Sequence, residues 1–440
     1  MEENLPLRKR HYRVVDELIN EAQQQIPEAG MRRRAIAMSF LHEYKSHPVQ
    51  PSLVPSADGT LEGILFSLPA YAMEGEDNPL WKVYQDLLLK LPSHTQLYML
   101  VHEPVADKLE QWLQENKLID RAHLHRVPTV YNMFIWAEDS FEVVQDKANG
   151  KRYMVQPHSH RRIFDDYISR LTARAFELER LKVPLYYEGG NILIGDDFFL
   201  MGADYAVDTL LDLNGVQGSL LETSALDALT RLYKKYLDKD RKLYFIGSSL
   251  IIPSERNRTF THDGQEWTET IYTKNGEGTV QPMFHIDKFI TLAGRNKAGK
   301  YQVLVGDTRM ADELLGTSTA RLSMYDVFDD IAELLSGLGF EVYRNPLPIT
   351  YVDDEEERVR KWYFATSNNA VVEIRNKQEK TVWLPTYGHG DWEDLKKTDD
   401  ENKRIWEELG FKVVQLEDFH PFVENSGALH CIKKYLKRGH

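Results

Sequence analysis

A single cysteine, Cys431, stands in a chain of 440 residues. One cysteine excludes an intramolecular disulfide and every metal site built from several thiolates. Long apolar runs are also missing. No stretch reaches the roughly 18 residues that cross a bilayer, and the charged N-terminal segment MEENLPLRKRHYRVVDELINEAQQ has no h-region of a secretory signal. These absences predict a cytoplasmic protein without a membrane partner. Basic charge is in short supply: 54 Lys and Arg against 68 Asp and Glu give a formal net charge of −14. Nucleic-acid binding needs a basic surface, so no nucleic-acid partner is expected. A cationic ligand suits the charge, and so does solubility alone. Arg8-Lys9-Arg10 and Arg32-Arg33-Arg34 read as solvated helix faces.

Hydrophobic residues at 42% and charged residues at 28% are a globular balance and argue against disorder. The length admits two or three ordinary domains or one large one. Residues 10–45 read as helical, with Val14, Leu18, Ile19 and Ala22 at helical spacing and a break near Pro27–Gly30. His47–Gly59 is rich in Pro and Ser and reads as a linker. We therefore expect an N-terminal helical extension and linker over residues 1–55 and one domain over 56–440.

From about residue 60, short β runs alternate with amphipathic helices. Helices are expected at Leu80–Leu91, Val105–Asn116, Leu220–Leu237, Tyr325–Gly337 and Asp399–Leu409. Residues 185–202 predict a hairpin folded over Gly195-Asp196-Asp197, and residues 370–388 predict another. The run FHIDKFITLAG, 284–294, reads as a strand, whereas Ser254–Gly278 reads as a long polar loop. Hairpins do not fit a pure doubly wound sheet, so the pattern predicts α/β or α+β with several small sheets. No clean sequence repeat is visible.

Four segments interrupt apolar runs with polar groups: Trp136-Ala137-Glu138-Asp139, Glu188-Gly189-Gly190-Asn191, His285-Ile286-Asp287 and Ser426-Gly427-Ala428-Leu429-His430-Cys431. Burying carboxylates and imidazoles is costly unless they are paired or used. Read on a strand, His285 and Asp287 would share one face: a metal-ligand pair, a base with its orienter, or a structural hydrogen bond. Glu188-Gly-Gly-Asn is also compatible with a plain glycine turn, and Asp139 with a capping residue. Cys431 follows small residues and a histidine, which allows close substrate approach and favours thiolate.

Taken in order, the series Asp, Glu-Gly-Gly-Asn, His-x-Asp and a late Gly-x-x-His-Cys resembles the guanidino-group-modifying enzyme, or pentein, superfamily over roughly residues 60–440. The nearest group is the agmatine deiminases and bacterial peptidyl-arginine deiminases. Phe364–Asn369 and Val382–Gly388 look like the stretch that precedes the cysteine there. Departures occur at Glu138, where that group has Arg, and at Ile432-Lys433-Lys434, where it reads Thr-x-Gln; Trp136–Phe141 is faintly similar to amidinotransferases.

The resemblance implies an α/β propeller of five ββαβ-like units around a pseudo-fivefold axis. It implies Cys431 as nucleophile, His285 as proton donor and water activator, and Glu188 orienting His285. Asp139 and Asp287 would grip the guanidinium, with Trp136 and Asn191 also on the substrate. No metal or organic cofactor is implied. The implied partner is a small guanidino compound or an arginine side chain, hydrolysed to a ureido product and ammonia through a thiouronium on the cysteine. An amidinotransferase and a non-catalytic pentein binding protein are the alternatives. Free arginine would need a carboxylate binder, for which Arg295 and Arg309 are candidates. Ser254–Gly278 is a candidate lid, and equally a plain insertion.

Overall fold

The computed structural model describes residues 5–10, 36–41, 43–158, 162, 164–213, 224–319 and 322–439. Most of the helix expected over 10–45, with the Arg32-Arg33-Arg34 cluster, lies outside the described residues; residues 36–41 are helical. The chain divides into two compact units. One comprises Met1–Val14, Asp77–Lys90 and Gly247–His430; the other comprises Val15–Glu76, Leu91–Ile246 and Cys431–His440. We call them the His430 unit and the Cys431 unit.

One motif recurs in both. Two antiparallel strands are followed by a helical crossover to a third strand, parallel to the second. In the Cys431 unit, Glu142–Asp146 pairs antiparallel with Arg152–Gln156; helix Asp165–Ala175 then leads to the parallel strand Glu179–Lys182. Ile192–Ile194 and Phe198–Gly202 form the hairpin over Gly195–Asp197 that the sequence predicts, and Lys242–Ile246 lies parallel to Phe198–Gly202. The C-terminal strand Lys433–Gly439 pairs antiparallel with Thr60–Leu68, which runs parallel to Gln96–His102.

The His430 unit repeats the motif in Ile290–Arg295, Tyr301–Asp307 and Glu341–Pro346. It repeats it again in Val371–Ile374, Lys380–Thr386 and Lys412–Asp418. Crossover helices expose one face and bury another. Tyr325–Gly337, found where expected, buries Val327, Phe328, Ile331, Ala332 and Leu335, a stripe at helical spacing. Among the described residues the motif thus occurs five times. The cores are ordinary apolar packing: Val144, Val155, Leu181, Ile192, Phe199 and Met201 belong to one cluster of the Cys431 unit.

Arg8-Lys9-Arg10 is not a solvated helix face: the Arg10 N–H donates to the Asp353 carbonyl, the Asp353 N–H donates to the Arg8 carbonyl, and Arg10 Nε lies 3.2 Å from Glu424 Oε2. Two further expectations are corrected. Ser254–Gly278 is not a loop: Arg256–His262 and Gln265–Ile271 form a hairpin. It joins Val359–Phe364 and Ile349–Asp354 in a four-stranded sheet that departs from the recurrent motif. Its turn is Asp263-Gly264, both at positive φ (48° and 72°), the geometry of a type I′ hairpin turn. The second correction concerns residues 284–294. The strand begins only at Ile290, and Ile286–Lys288 is one turn of 3-10 helix with His285 as its N-cap. His285 and Asp287 therefore do not share a strand face.

Candidate active site

The predicted residues share a structural address. Each lies in the turn just before the first strand of a recurrent motif. Asp139 precedes Glu142–Asp146, and Glu188 precedes Ile192–Ile194. His285 and Asp287 precede Ile290–Arg295, and Cys431 precedes Lys433–Gly439. The remaining motif carries Asn369 there, before Val371–Ile374. All of these side chains are buried.

Within the Cys431 unit, the turns at 139, 188 and 431 are tied by main chain and by charge. The Glu138 N–H donates to the Cys431 carbonyl at 3.2 Å, and the Gly189 N–H to the Asp139 carbonyl at 3.4 Å. Gly189 is required by space: a Cβ there would stand 2.0 Å from the Glu138 carbonyl oxygen. A buried ionic group closes the arrangement. Lys433 Nζ lies 2.6 Å from Glu138 Oε2, and Lys434 Nζ lies 2.9 Å from both Glu138 Oε1 and Glu142 Oε1. Glu138 and Lys433-Lys434, two of the departures noted in the sequence, are thus partners of each other. Burial pushes the Glu142 carboxyl up to about 7 against the pull of Lys434. Burial alone would lower Lys434, but Glu138 and Glu142 raise it above its ordinary value.

A second buried group surrounds Asp139. Arg162 donates from Nη2 to Asp139 Oδ2 at 2.8 Å and from Nε to Asp165 Oδ2 at 3.0 Å. Its guanidinium carbon stands 5.4 Å from the Phe134 ring centre. A carboxylate oxygen of Asp139 and one of Glu188 lie within 4.8 Å of each other. Burial would lower the Arg162 pKa, but Asp165, Asp139 and Glu188 raise it above the ordinary guanidinium range, so it stays charged. Burial lifts Asp165 to about 6, with Arg162 opposing. The Tyr205 hydroxyl donates to Glu188 Oε2 at 2.8 Å. Asn191 ends the Gly189–Asn191 turn and donates to the Gly202 carbonyl at 3.4 Å, and Trp136 is buried three residues before Asp139.

The His430 unit holds its turns differently. Asp287 Oδ2 lies 2.8 Å from His430 Nδ1. Asn369 joins the same two turns: its Oδ1 accepts from the His430 N–H at 2.8 Å, and its Nδ2 donates to the Asp287 carbonyl at 3.3 Å. Asp287 therefore orients His430, a partner that the sequence does not reveal. Phe284 packs its ring 4.3 Å from that of His285.

Sequence reasoning missed Arg162, Asp165, Asn369 and the pairing of Lys433 and Lys434. Arg162 sits in a polar run that reads as surface, and only its burial marks it. Neither arginine proposed as a carboxylate binder is buried. Arg295 donates to the Gly299 carbonyl at 2.7 Å, and Arg309 to Asp329 at 3.2 Å.

Against known proteins, no family model matches the sequence. No curated protein matches it either. Solved structures do, and they define the class: the fold is that of the pentein proteins. The Campylobacter jejuni agmatine deiminase matches with a TM-score of 0.55 at 14% identity, over 89% of this chain and 97% of that one. The Enterococcus faecalis agmatine deiminase matches with a TM-score of 0.56 at 13% identity, over 88% and 96%. A candidate arginine deiminase from Porphyromonas gingivalis matches with a TM-score of 0.58 at 14% identity, over 87% and 97%.

Proposed function

We propose that this protein hydrolyses the guanidinium group of an arginine-like substrate to a ureido product and ammonia. One observation carries the reading. The residues that a guanidinium hydrolase needs, drawn from four distant parts of the chain, occupy the same turn of successive ββαβ motifs. A recurrent fold whose repeats deliver Asp, Glu, His and Cys at one equivalent position is suited to gather them. In this reading the five motifs surround a pseudo-fivefold axis, and residues 56–440 act as one catalytic domain.

The chemistry follows from the groups. A guanidinium is planar, cationic and rich in paired N–H donors, which carboxylates accept well. Asp139 already accepts a guanidinium N–H from Arg162, and this supports its role. Asp287 is the second carboxylate, with Trp136 and Asn191 beside the substrate. The Cys431 thiolate attacks the guanidinium carbon and forms an S–C bond. The tetrahedral adduct expels ammonia after His285 protonates the leaving nitrogen, and a thiouronium remains on sulfur. His285, oriented by Glu188, then takes a proton from water, whose oxygen bonds to the thiouronium carbon to form a second tetrahedral adduct. Collapse of the second adduct breaks the S–C bond, releases the ureido product and restores the thiol.

Single-turnover product analysis tests this. A guanidino substrate in plain buffer should release one ammonia and leave a ureido product, with no effect of added glycine, ornithine or lysine. If amine addition instead yields a new guanidino compound and little ammonia, the protein is an amidinotransferase.

A further inference from the structure

Segment 5–10 docks on one edge of the four-stranded sheet in the His430 unit. Lys9 pairs with Asp353 in the parallel sense, beside the strand Ile349–Asp354. Side chains fix it there. Asp353 is buried, and its Oδ2 accepts the Arg8 N–H at 2.9 Å, while Arg360 donates to the same carboxylate at 2.8 and 3.1 Å. The Tyr351 hydroxyl donates to the Pro6 carbonyl at 2.6 Å, and Arg8 Nη1 donates to Thr350 Oγ1 at 2.6 Å. Segments near a chain end fray unless partners of this kind tie them down.

The docked segment reaches further, to the stretch that precedes the cysteine. Arg10 Nε lies 3.2 Å from Glu424 Oε2, their side chains 10% and 6% exposed. A carboxylate this buried depends on its cation, since either charge alone is costly. Glu424 follows the short helix His420–Val423 and stands six residues before His430. The backbone between them is strained. Ser426 holds φ at 69°, a state that side chains rarely adopt and that persists only where the surroundings impose it. Its N–H donates to the Val423 carbonyl at 2.8 Å, and Lys274 Nζ donates to the Asn425 carbonyl at 3.4 Å. The far end is fixed where His430 meets Asp287 and Asn369. Lys9, between the two arginines, differs: it is exposed and pairs with exposed Glu355 at 3.0 Å.

We infer that segment 5–10 belongs to the catalytic apparatus, with Arg10 acting through Glu424 to position the stretch that ends at His430, one peptide bond from Cys431. Arg10 is then a positioning residue, and the sheet outside the recurrent motif is the base that holds it. The inference rests on the guanidino-hydrolase reading for its effect on turnover.

Arg10→Met and Glu424→Gln cut the tie from its two ends. In each, kcat for a guanidino substrate should fall roughly 10- to 100-fold while KM stays within about twofold, as expected when a reacting group is misplaced. The double variant should be no slower than the slower single one, and Arg10→Lys should be faster than Arg10→Met. Lys9→Met should match the unaltered protein. Rates are compared at equal folded fraction, measured by circular dichroism, so that a loss of stability alone leaves kcat unchanged. A second measurement needs no turnover. Alkylation of Cys431 by iodoacetamide should accelerate roughly 10-fold in Arg10→Met and Glu424→Gln, because local release of the segment uncovers a buried thiol. Unchanged kcat in a folded Arg10→Met overturns the inference and leaves the hydrolase reading intact; if that variant fails to fold, Glu424→Gln decides in the same way. If the unaltered protein releases no ammonia from any guanidino compound, the hydrolase reading falls and the alkylation rates decide the inference. Acceleration then upholds the positioning role, and equal rates overturn it.

Discussion

The Cys431 unit ties the turns that carry its candidate residues with two buried ion groups, whereas in the His430 unit one amide, Asn369, ties them beside the Asp287–His430 pair. In the first, Glu138, Glu142, Lys433 and Lys434 form a buried group of two cations and two carboxylates, and Arg162 bridges Asp139 and Asp165. In the second, Asn369 joins the Asp287 and His430 turns. Farther along, the Tyr363 hydroxyl lies 2.6 Å from His420 Nδ1, while His420 Nε2 lies 2.8 Å from the Tyr387 carbonyl. Both kinds of network satisfy buried polar groups, but they fail differently. Taking one member from a balanced ion group leaves a buried charge, and taking one member from a neutral network leaves an unmet hydrogen bond.

The largest expected effect breaks the charged side. Above pH 7, where Glu142 is ionised, Lys433→Met leaves the buried group with one net negative charge and should destabilise the protein by about 3–5 kcal/mol. Glu138→Gln leaves one net positive charge at a similar cost. The double variant restores balance through Lys434 and Glu142 and should recover much of the loss. Denaturant unfolding of the four proteins measures this. Strict additivity would mean that the ions act independently and would remove the contrast.

A smaller effect is expected on the neutral side. Asn369→Ala removes an acceptor and a donor and should cost about 1–3 kcal/mol, below the cost of Lys433→Met. A larger loss than in Lys433→Met would reverse the comparison.

The smallest effect is one of pH, with opposite sign on the two sides. Burial pulls the His420 imidazole down to about 3, with the Tyr387 carbonyl opposing, so it stays neutral when folded. Unfolded, it protonates near its ordinary pKa of about 6.5. The unfolded chain therefore binds the extra proton below that pH, and His420 costs stability as pH falls from about 6.5 towards 3, at up to about 1.4 kcal/mol per pH unit. Glu142 behaves inversely. With its folded pKa raised to about 7, its contribution is full below its ordinary carboxylate value and is lost as pH rises through 7. Relative to the unaltered protein, His420→Gln should gain stability between pH 7 and pH 5. Glu142→Gln should lose ground over the same interval. Unfolding midpoints at the two pH values decide the matter, and parallel shifts would contradict it.

The sequence made the hairpin over Gly195–Asp197 and the helix Tyr325–Gly337 legible because each has a local signature, alternation or a buried stripe. It also singled out Asp139, Glu188, His285 and Asp287 as candidates, because carboxylates and imidazole within apolar runs are unusual, and Cys431, because it follows small residues and a histidine. The hairpin after Ser254 escaped because Arg256–His262 is polar on both faces, although Asp263-Gly264 is a strong hairpin signal. The recurrence of the ββαβ motif left no clean repeat in the sequence, only an alternation of β runs and helices, since each copy has its own loop lengths and core residues. The compensation between Glu138 and Lys433 was hidden by distance, the partners being 295 residues apart. Read separately, each was only a departure from a pattern.

The central claim is that Cys431 carries covalent guanidinium chemistry. Rapid quenching during turnover of a guanidino substrate, followed by intact-protein mass measurement, tests it most directly. The account predicts an adduct with the mass of the substrate less ammonia, mapped to Cys431, together with no adduct and no ammonia from a folded Cys431→Ala. Undiminished ammonia release by Cys431→Ala would contradict it.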